Sequence, residues 1–189
     1  MPGIDHLGNR NTSPILCKQV SSVANQFGKK EVLSETFGCS GWNISFDELM
    51  WIWGRQSALG ITKPCFHLSA YSIAGRRKRD YPAFFSYQEP WWEQFHSFTD
   101  YISALGAVMG VAKENCDLLV LHPLHTAHVR YNGSHKCQGV RDLDAHFAAL
   151  SLKLQEQHIP YHYGDEVVMR DYGSVEGDLF NRTLGHKNS

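Results

Sequence analysis

The feature that most constrains the fold of this chain is the segment Asp117-Leu118-Leu119-Val120-Leu121-His122-Pro123, a continuous apolar run closed by proline. A strand that is apolar without alternation matches a parallel strand covered on both faces, and Pro123 lacks the N–H needed to prolong a ladder. Parallel strands need crossover connections, usually helices, and the flanking pattern supplies them. Residues 1–14 have the Gly, Asn, Ser and Pro composition of a loop, and Val20, Val23, Ala24 and Phe27 predict a helix over 15–27 that Gly28 stops. Residues 31–35 read as a short strand running out into the small-residue loop 36–41. An amphipathic helix over 46–59 follows, with Asp47 and Glu48 in its first turn and Gly60 as its cap. Residues 61–71 read as a buried strand, 72–90 as a loop, and 92–111 as a helix with Phe95, Phe98, Ile102, Leu105 and Val108 on one face. Beyond the 117–123 strand come a polar loop at 124–140, a helix at 142–157 and a strand near 160–168; from Arg170 onward there is little pattern. The repeated strand, loop and helix predict an α/β fold.

Composition narrows the function classes. The 189 residues, 42% hydrophobic and 20% charged, have room for a core in one large domain or two small ones. A net charge of -1, with one basic run (Arg76 to Arg79) closed by Asp80, argues against a nucleic-acid partner. No apolar stretch approaches the ~20 residues of a membrane span and no leader pattern opens the sequence, so a soluble, cytoplasmic chain without a membrane partner is expected. Five cysteines without any C-x-x-C predict free thiols in a reducing compartment. The sequons at Asn11, Asn43, Asn132 and Asn181 have meaning only in a secreted chain, which nothing indicates. The informative excess is aromatic: five Trp, eight Tyr and ten Phe, with Trp42, Trp51 and Trp53 clustered and Trp91 beside Trp92, which suggests a walled cleft as well as a core.

Glu35 stands where a predicted strand enters a Gly-containing loop, the place where catalytic groups sit in barrels of alternating strands and helices. It is open to two readings, an exposed loop carboxylate or an acid or nucleophile for sugar chemistry beside the aromatic wall that Trp42 would provide. His67 and Tyr71, at and beyond the end of the next strand, would open onto the same face, although a histidine there is equally a hydrogen-bonded structural residue. Residues Arg76 to Asp80 form either a solvated charged turn or an internally paired loop on one side of the cleft. Of Trp91 and Trp92, one is expected in the core and the other in the pocket. His122, His125 and His128 recur every third residue, but Pro123 makes the first part a strand exit and no carboxylate or cysteine sits at ligand spacing, so no metal site is expected. Asp165 and Glu166 read as structural. Neither G-x-S-x-G nor a phosphate-cradling glycine motif occurs, which removes serine-triad, kinase and dinucleotide chemistry, and no cofactor is expected.

The segments Val32-Leu-Ser-Glu35-Thr-Phe-Gly-Cys-Ser-Gly-Trp42, Ala58-Leu-Gly60, His67-Leu-Ser-Ala-Tyr-Ser72, Gly75-Arg-Arg-Lys-Arg-Asp-Tyr-Pro82 and Tyr87-Gln-Glu-Pro-Trp-Trp92 resemble the catalytic region of large bacterial glycoside hydrolases. The resemblance is to family 106-like α-L-rhamnosidases and to family 2-type hydrolases with a sugar-binding domain, and more distantly to family 42 β-galactosidases. Residues 117–123, the helix at 142–157 and Tyr161-His-Tyr-Gly-Asp-Glu166 are similar to the opening of the flavodoxin-like, trimerisation-type α/β domain that follows the barrel in such enzymes. The resemblance implies that 1–112 are the last strand-helix units of a (β/α)8 barrel and 113–189 the start of that second domain. It implies Glu35 as a catalytic carboxylate, with His6, Trp42, His67, Tyr71, Asp80 and Trp91 around a sugar. A glycosidase uses two carboxyl groups, and on this resemblance the second lies on an earlier barrel strand. The chain then reads as an internal fragment, its partners a carbohydrate and either a second copy or a complementing barrel fragment. The other readings from the same residues are a non-catalytic carbohydrate-binding or assembly module, or an inactive truncated product.

Overall fold

The structure, a computed structural model, describes residues 1–8, 13–112, 114–134, 136–176 and 179–182. It divides into two compact units, Met1–Thr12 with Lys29–Lys113 and Ser13–Gly28 with Glu114–Ser189.

In the first unit, β1 (Gly3–His6), β2 (Leu33–Thr36) and β3 (Lys63–Phe66) form a parallel sheet with β2 in the centre. Its register sets Asp5, Glu35 and Cys65 side by side, and His6, Thr36 and Phe66 one step further on. Successive side chains point to opposite faces. One face, with Ser34 and Thr36, is buried beneath helix α2 (Phe46–Ala58), whose Gln56 Nε2 donates to Thr36 Oγ1 at 2.7 Å. On the other face Asp5 is exposed and Glu35 and Cys65 are half-buried.

Helix α2 starts where its sequence prescribes. Ser45 Oγ accepts from the Glu48 N–H at 3.2 Å while the Glu48 carboxylate accepts from the Ser45 N–H at 2.9 Å, a reciprocal capping box. Ser45→Ala should cost about 1 kcal/mol, read as a lowered urea midpoint. The helix buries Leu49, Ile52, Trp53 and Gln56, a stripe at helical spacing. A 3-10 turn at Trp92–Gln94 leads into α3 (Phe95–Met109). Phe37, Phe66, Phe85, Phe95 and Phe98 join in one aromatic cluster with ring centroids 4.9–6.3 Å apart.

The second unit contains α1 (Ile15–Gln26), β4 (Leu119–His122), α4 (Leu124–Arg130), α5 (Gln138–Glu156), β5 (His162–Asp165), α6 (Glu166–Tyr172) and the antiparallel hairpin of β6 (Gly173–Glu176) with β7 (Leu179–Arg182). Strands β4 and β5 are parallel, with Val120 beside Tyr163 and His122 beside Asp165. Helix α1 is fastened to β5: Ser22 Oγ accepts from the Tyr163 N–H at 2.9 Å and Gln26 Nε2 donates to the Tyr163 carbonyl at 2.8 Å. Lys18 pairs with Glu114 at 2.8 Å. Val120, Phe147, Tyr161 and Tyr163 make the core.

The fold is therefore α/β as the pattern predicts, with several local corrections. Residues 3–6 are a strand, not loop: only Ile4 favours the conformation, and pairing with β2 supplies the rest. The helix at 15–26 belongs with the second unit although the sequence grouped it with 1–112. The strand expected over 61–71 stops at Phe66. The loop expected at 124–140 holds α4 and the start of α5. The strand expected to reach 168 ends at Asp165, because its carboxylate Oδ1 accepts from the Val167 and Val168 N–H groups and starts α6. The tail beyond Arg170 contains the end of α6 and the hairpin. The apolar run of β4 is covered on one face only within its unit, with Val120 8% and Leu121 49% exposed. Asn11 lies outside the described residues. Among those described, no helix is long and apolar enough to cross a membrane.

Candidate functional site

The carboxyl ends of β1, β2 and β3 bring three loops together. Gly8 N–H donates to the Gly38 carbonyl at 2.7 Å, and His67 N–H donates to the Thr36 carbonyl at 2.9 Å. A methyl group at position 38 would lie 2.7 Å from His67 Cγ, so only glycine lets the ring approach. Phe37 and Cys39 on the β2 loop, Leu68 after β3 and Tyr81 all hold left-handed backbone, with φ of 73°, 62°, 47° and 54°. Such conformations cost about 1–3 kcal/mol each and persist where surrounding packing enforces them; Phe37, inside the aromatic cluster, is fully buried.

Glu35 projects on the open face of the sheet, with Asp5 directly beside it on β1. Neither carboxylate makes a hydrogen bond or ion pair among the described residues. Asp5 was not picked out from the sequence, because its surroundings read as loop; the signal that finds it is its register with Glu35.

The other candidates are placed as follows. His6 faces the helix side with Thr36, is 3% exposed, and has no hydrogen-bond partner on either ring nitrogen among the described residues. Burial holds its pKa below the ordinary 6.5; its own backbone opposes this, and the Arg55 guanidinium adds to it. His67 sits against the Gly38 turn with its ring edge-on to Tyr81 at 6.3 Å. Trp42 is anchored by its Nε1–H to the Lys78 carbonyl at 2.6 Å and packs edge-on against Phe84 at 5.3 Å. Tyr71 is fully exposed and apart from these contacts. Arg76 to Arg79 lie in an exposed 3-10 turn that Asp80 ends; Arg76, Arg77, Arg79 and Asp80 line an open hollow of about 420 Å³, and Asp80 makes no ion pair among the described residues. Trp91 packs among Phe46, Phe85 and Phe95, while Trp92 is the more exposed of the two. None of the five cysteines is joined in a disulfide. No group of three or more His, Cys, Asp or Glu side chains among the described residues has metal-binding geometry, and His125 instead lies 3.5 Å from Glu166.

Glu89 is the residue that the sequence concealed. It is 3% exposed; Oε1 accepts from the Phe84 N–H at 3.1 Å and Oε2 has no partner among the described residues. Phe84 is the residue on which Trp42 rests, so this bond holds the back of the aromatic wall. Burial pushes the Glu89 carboxyl from 4.5 up to about 7, the Phe84 amide opposing in smaller part. A raised folded-state pKa means that the native state holds its proton while the unfolded chain has lost it. Stability should therefore fall as pH rises from about 4.5 to about 7 and then level off. With screening by nearby water the loss should be about 1–2 kcal/mol. Urea midpoints across that range check this, and Glu89→Gln should flatten the profile.

An acidic pair at the carboxyl ends of parallel strands, faced by strained loops, is the layout of an α/β protein with a site at its strand ends. No protein-family model matches the chain, and no curated protein does. Among solved structures the chain is similar to a rhamnosidase from Novosphingobium sp. PP1Y, with a TM-score of 0.61 and 16% identity over 97% of this chain and 17% of that one. At that identity the likeness is one of fold, and this chain spans under a fifth of the rhamnosidase's length.

Proposed function

We propose that the chain forms part of a glycoside hydrolase, acting on rhamnosides of the kind cleaved by family 106-like enzymes, with Glu35 as a catalytic carboxyl. The observation that carries this reading is the placing of Glu35 on the open face at the strand ends, with Asp5 in register beside it. Glycosidic cleavage needs two carboxyl groups, one to protonate the leaving oxygen and one to act as base or nucleophile. Asp5 is the second group in this reading, which places it within the chain and not on an absent strand. Support comes also from the loop strain at Phe37 and Cys39, from Trp42 as a sugar-stacking wall, and from the fold shared with a rhamnosidase.

In this reading β1 to β3 with α2 and α3 are neighbouring steps of a (β/α)8 barrel, and the second unit is the flavodoxin-like domain that follows it. His67, beside the Gly38 turn, binds a substrate hydroxyl. The test is hydrolysis of chromogenic α-L-rhamnosides and β-galactosides by the full chain, with sugar binding followed by tryptophan fluorescence. Turnover that depends on Glu35 supports the enzyme. Saturable binding without turnover favours the carbohydrate-binding module, and the absence of both binding and turnover overturns both readings.

A further inference from the structure

The second unit has a pocket that the reading above does not use. It holds about 190 Å³ and is lined by Gln19 and Val23 from α1, His122 from the end of β4, and Tyr163 and Asp165 from β5. His122 and Asp165 are in register at the carboxyl ends of two parallel strands, where open α/β sheets place ligands. The volume lies below the roughly 300–1,000 Å³ of drug-sized sites and suits one small ring.

We propose that this pocket binds a single neutral, polyhydroxylated molecule of monosaccharide size. Its polar groups are free for the purpose. Neither Gln19 nor His122 makes a side-chain hydrogen bond among the described residues, and Asp165 commits Oδ1 to the Val167 and Val168 N–H groups, leaving Oδ2 unused. The His122 ring is held by tilted contacts with the rings of Phe147 at 4.9 Å and Tyr163 at 6.1 Å, so it presents its nitrogens at low entropic cost. Burial lowers the His122 pKa, against the opposing charges of Asp165 and Glu166. The neutral ring offers one donor and one acceptor.

A carboxylate oxygen, an imidazole and an amide together accept from and donate to vicinal hydroxyls, while Val23 and the Tyr163 ring cover the C–H surface of a sugar. No Lys or Arg lines the pocket, which disfavours anions. A small amine is the competing ligand because Asp165 is acidic.

All five tryptophans fall at 42–92, in the first unit, so a sugar bound in the second unit is read separately from one bound near Glu35. The experiment is a titration of the full chain with L-rhamnose, D-galactose, ethanolamine and inorganic phosphate. It follows the His122 Cε1–H resonance, assigned with a His122→Gln variant, alongside tryptophan fluorescence. A sugar should shift that resonance with a Kd of about 1–10 mM, with no change when Glu35 is replaced by Gln. Val23→Phe should abolish the shift by filling the pocket, and Asp165→Asn, which retains the helix cap, should weaken it about tenfold. If Val23→Phe does not fold, Gln19→Leu takes its place. The proposal is overturned if no sugar shifts the resonance by about 100 mM, if ethanolamine or phosphate does so at lower concentration, or if the pocket variants leave the shift intact.

Discussion

Replacing Glu35 by Gln should lower turnover of a chromogenic rhamnoside by about 10²–10⁴-fold, while leaving the urea midpoint and near-ultraviolet circular dichroism unchanged. The fold is spared because the Glu35 carboxylate supports no hydrogen bond or ion pair among the described residues, and glutamine has its shape. The chemistry is not spared because an amide neither delivers a proton nor attacks an anomeric carbon. Asp5→Asn should behave in the same way if the two carboxyls act together. The two losses should then be far from additive, as for any pair working as a unit. Equal activity in wild type and Glu35→Gln would remove Glu35 from the catalytic role.

The largest effect on stability should come from Phe98→Ala. Phe98 is 0% exposed and meets Phe37, Phe66 and Phe95 at 5.7, 6.3 and 5.9 Å between centroids. Removing the ring deletes buried apolar surface and leaves a cavity in a close-packed region, at a cost of about 3–5 kcal/mol. That is a large share of the roughly 5–15 kcal/mol of a typical domain, so the tryptophan-monitored urea transition should move sharply to lower concentration. The site should suffer with it, because Phe37 opens the loop after β2 and Phe66 ends β3. An unchanged transition would show that the aromatic cluster does not hold the first unit together.

Much of the architecture was legible because it rests on local signals. The helical spacing that ends before Gly28, the acidic first turn of Asp47 and Glu48 in α2, and the apolar run at 117–123 all mark elements found at or within a few residues of their expected places. What escaped depended on distant partners. Residues 3–6 become a strand through hydrogen bonding to β2, and α1 joins the second unit through Ser22 and Gln26 acting on Tyr163, 137 or more residues away. Asp165 carries a local cap signal, but its place in an apparently strand-like stretch hid the helix that follows.

By itself, then, the amino-acid sequence determined that this is an α/β chain with an acidic residue at a strand exit and an aromatic-rich surround, since helical and strand periods and turn chemistry act over a few residues. Tertiary structure alone decided which groups share a face. A one-residue step along a strand reverses the side to which a side chain points, and that step separates Asp5, beside Glu35 on the open face, from His6, buried toward the helix. The same lateral pairing joins His122 to Asp165 across 43 residues, a neighbourhood that parallel register creates and that no local pattern encodes.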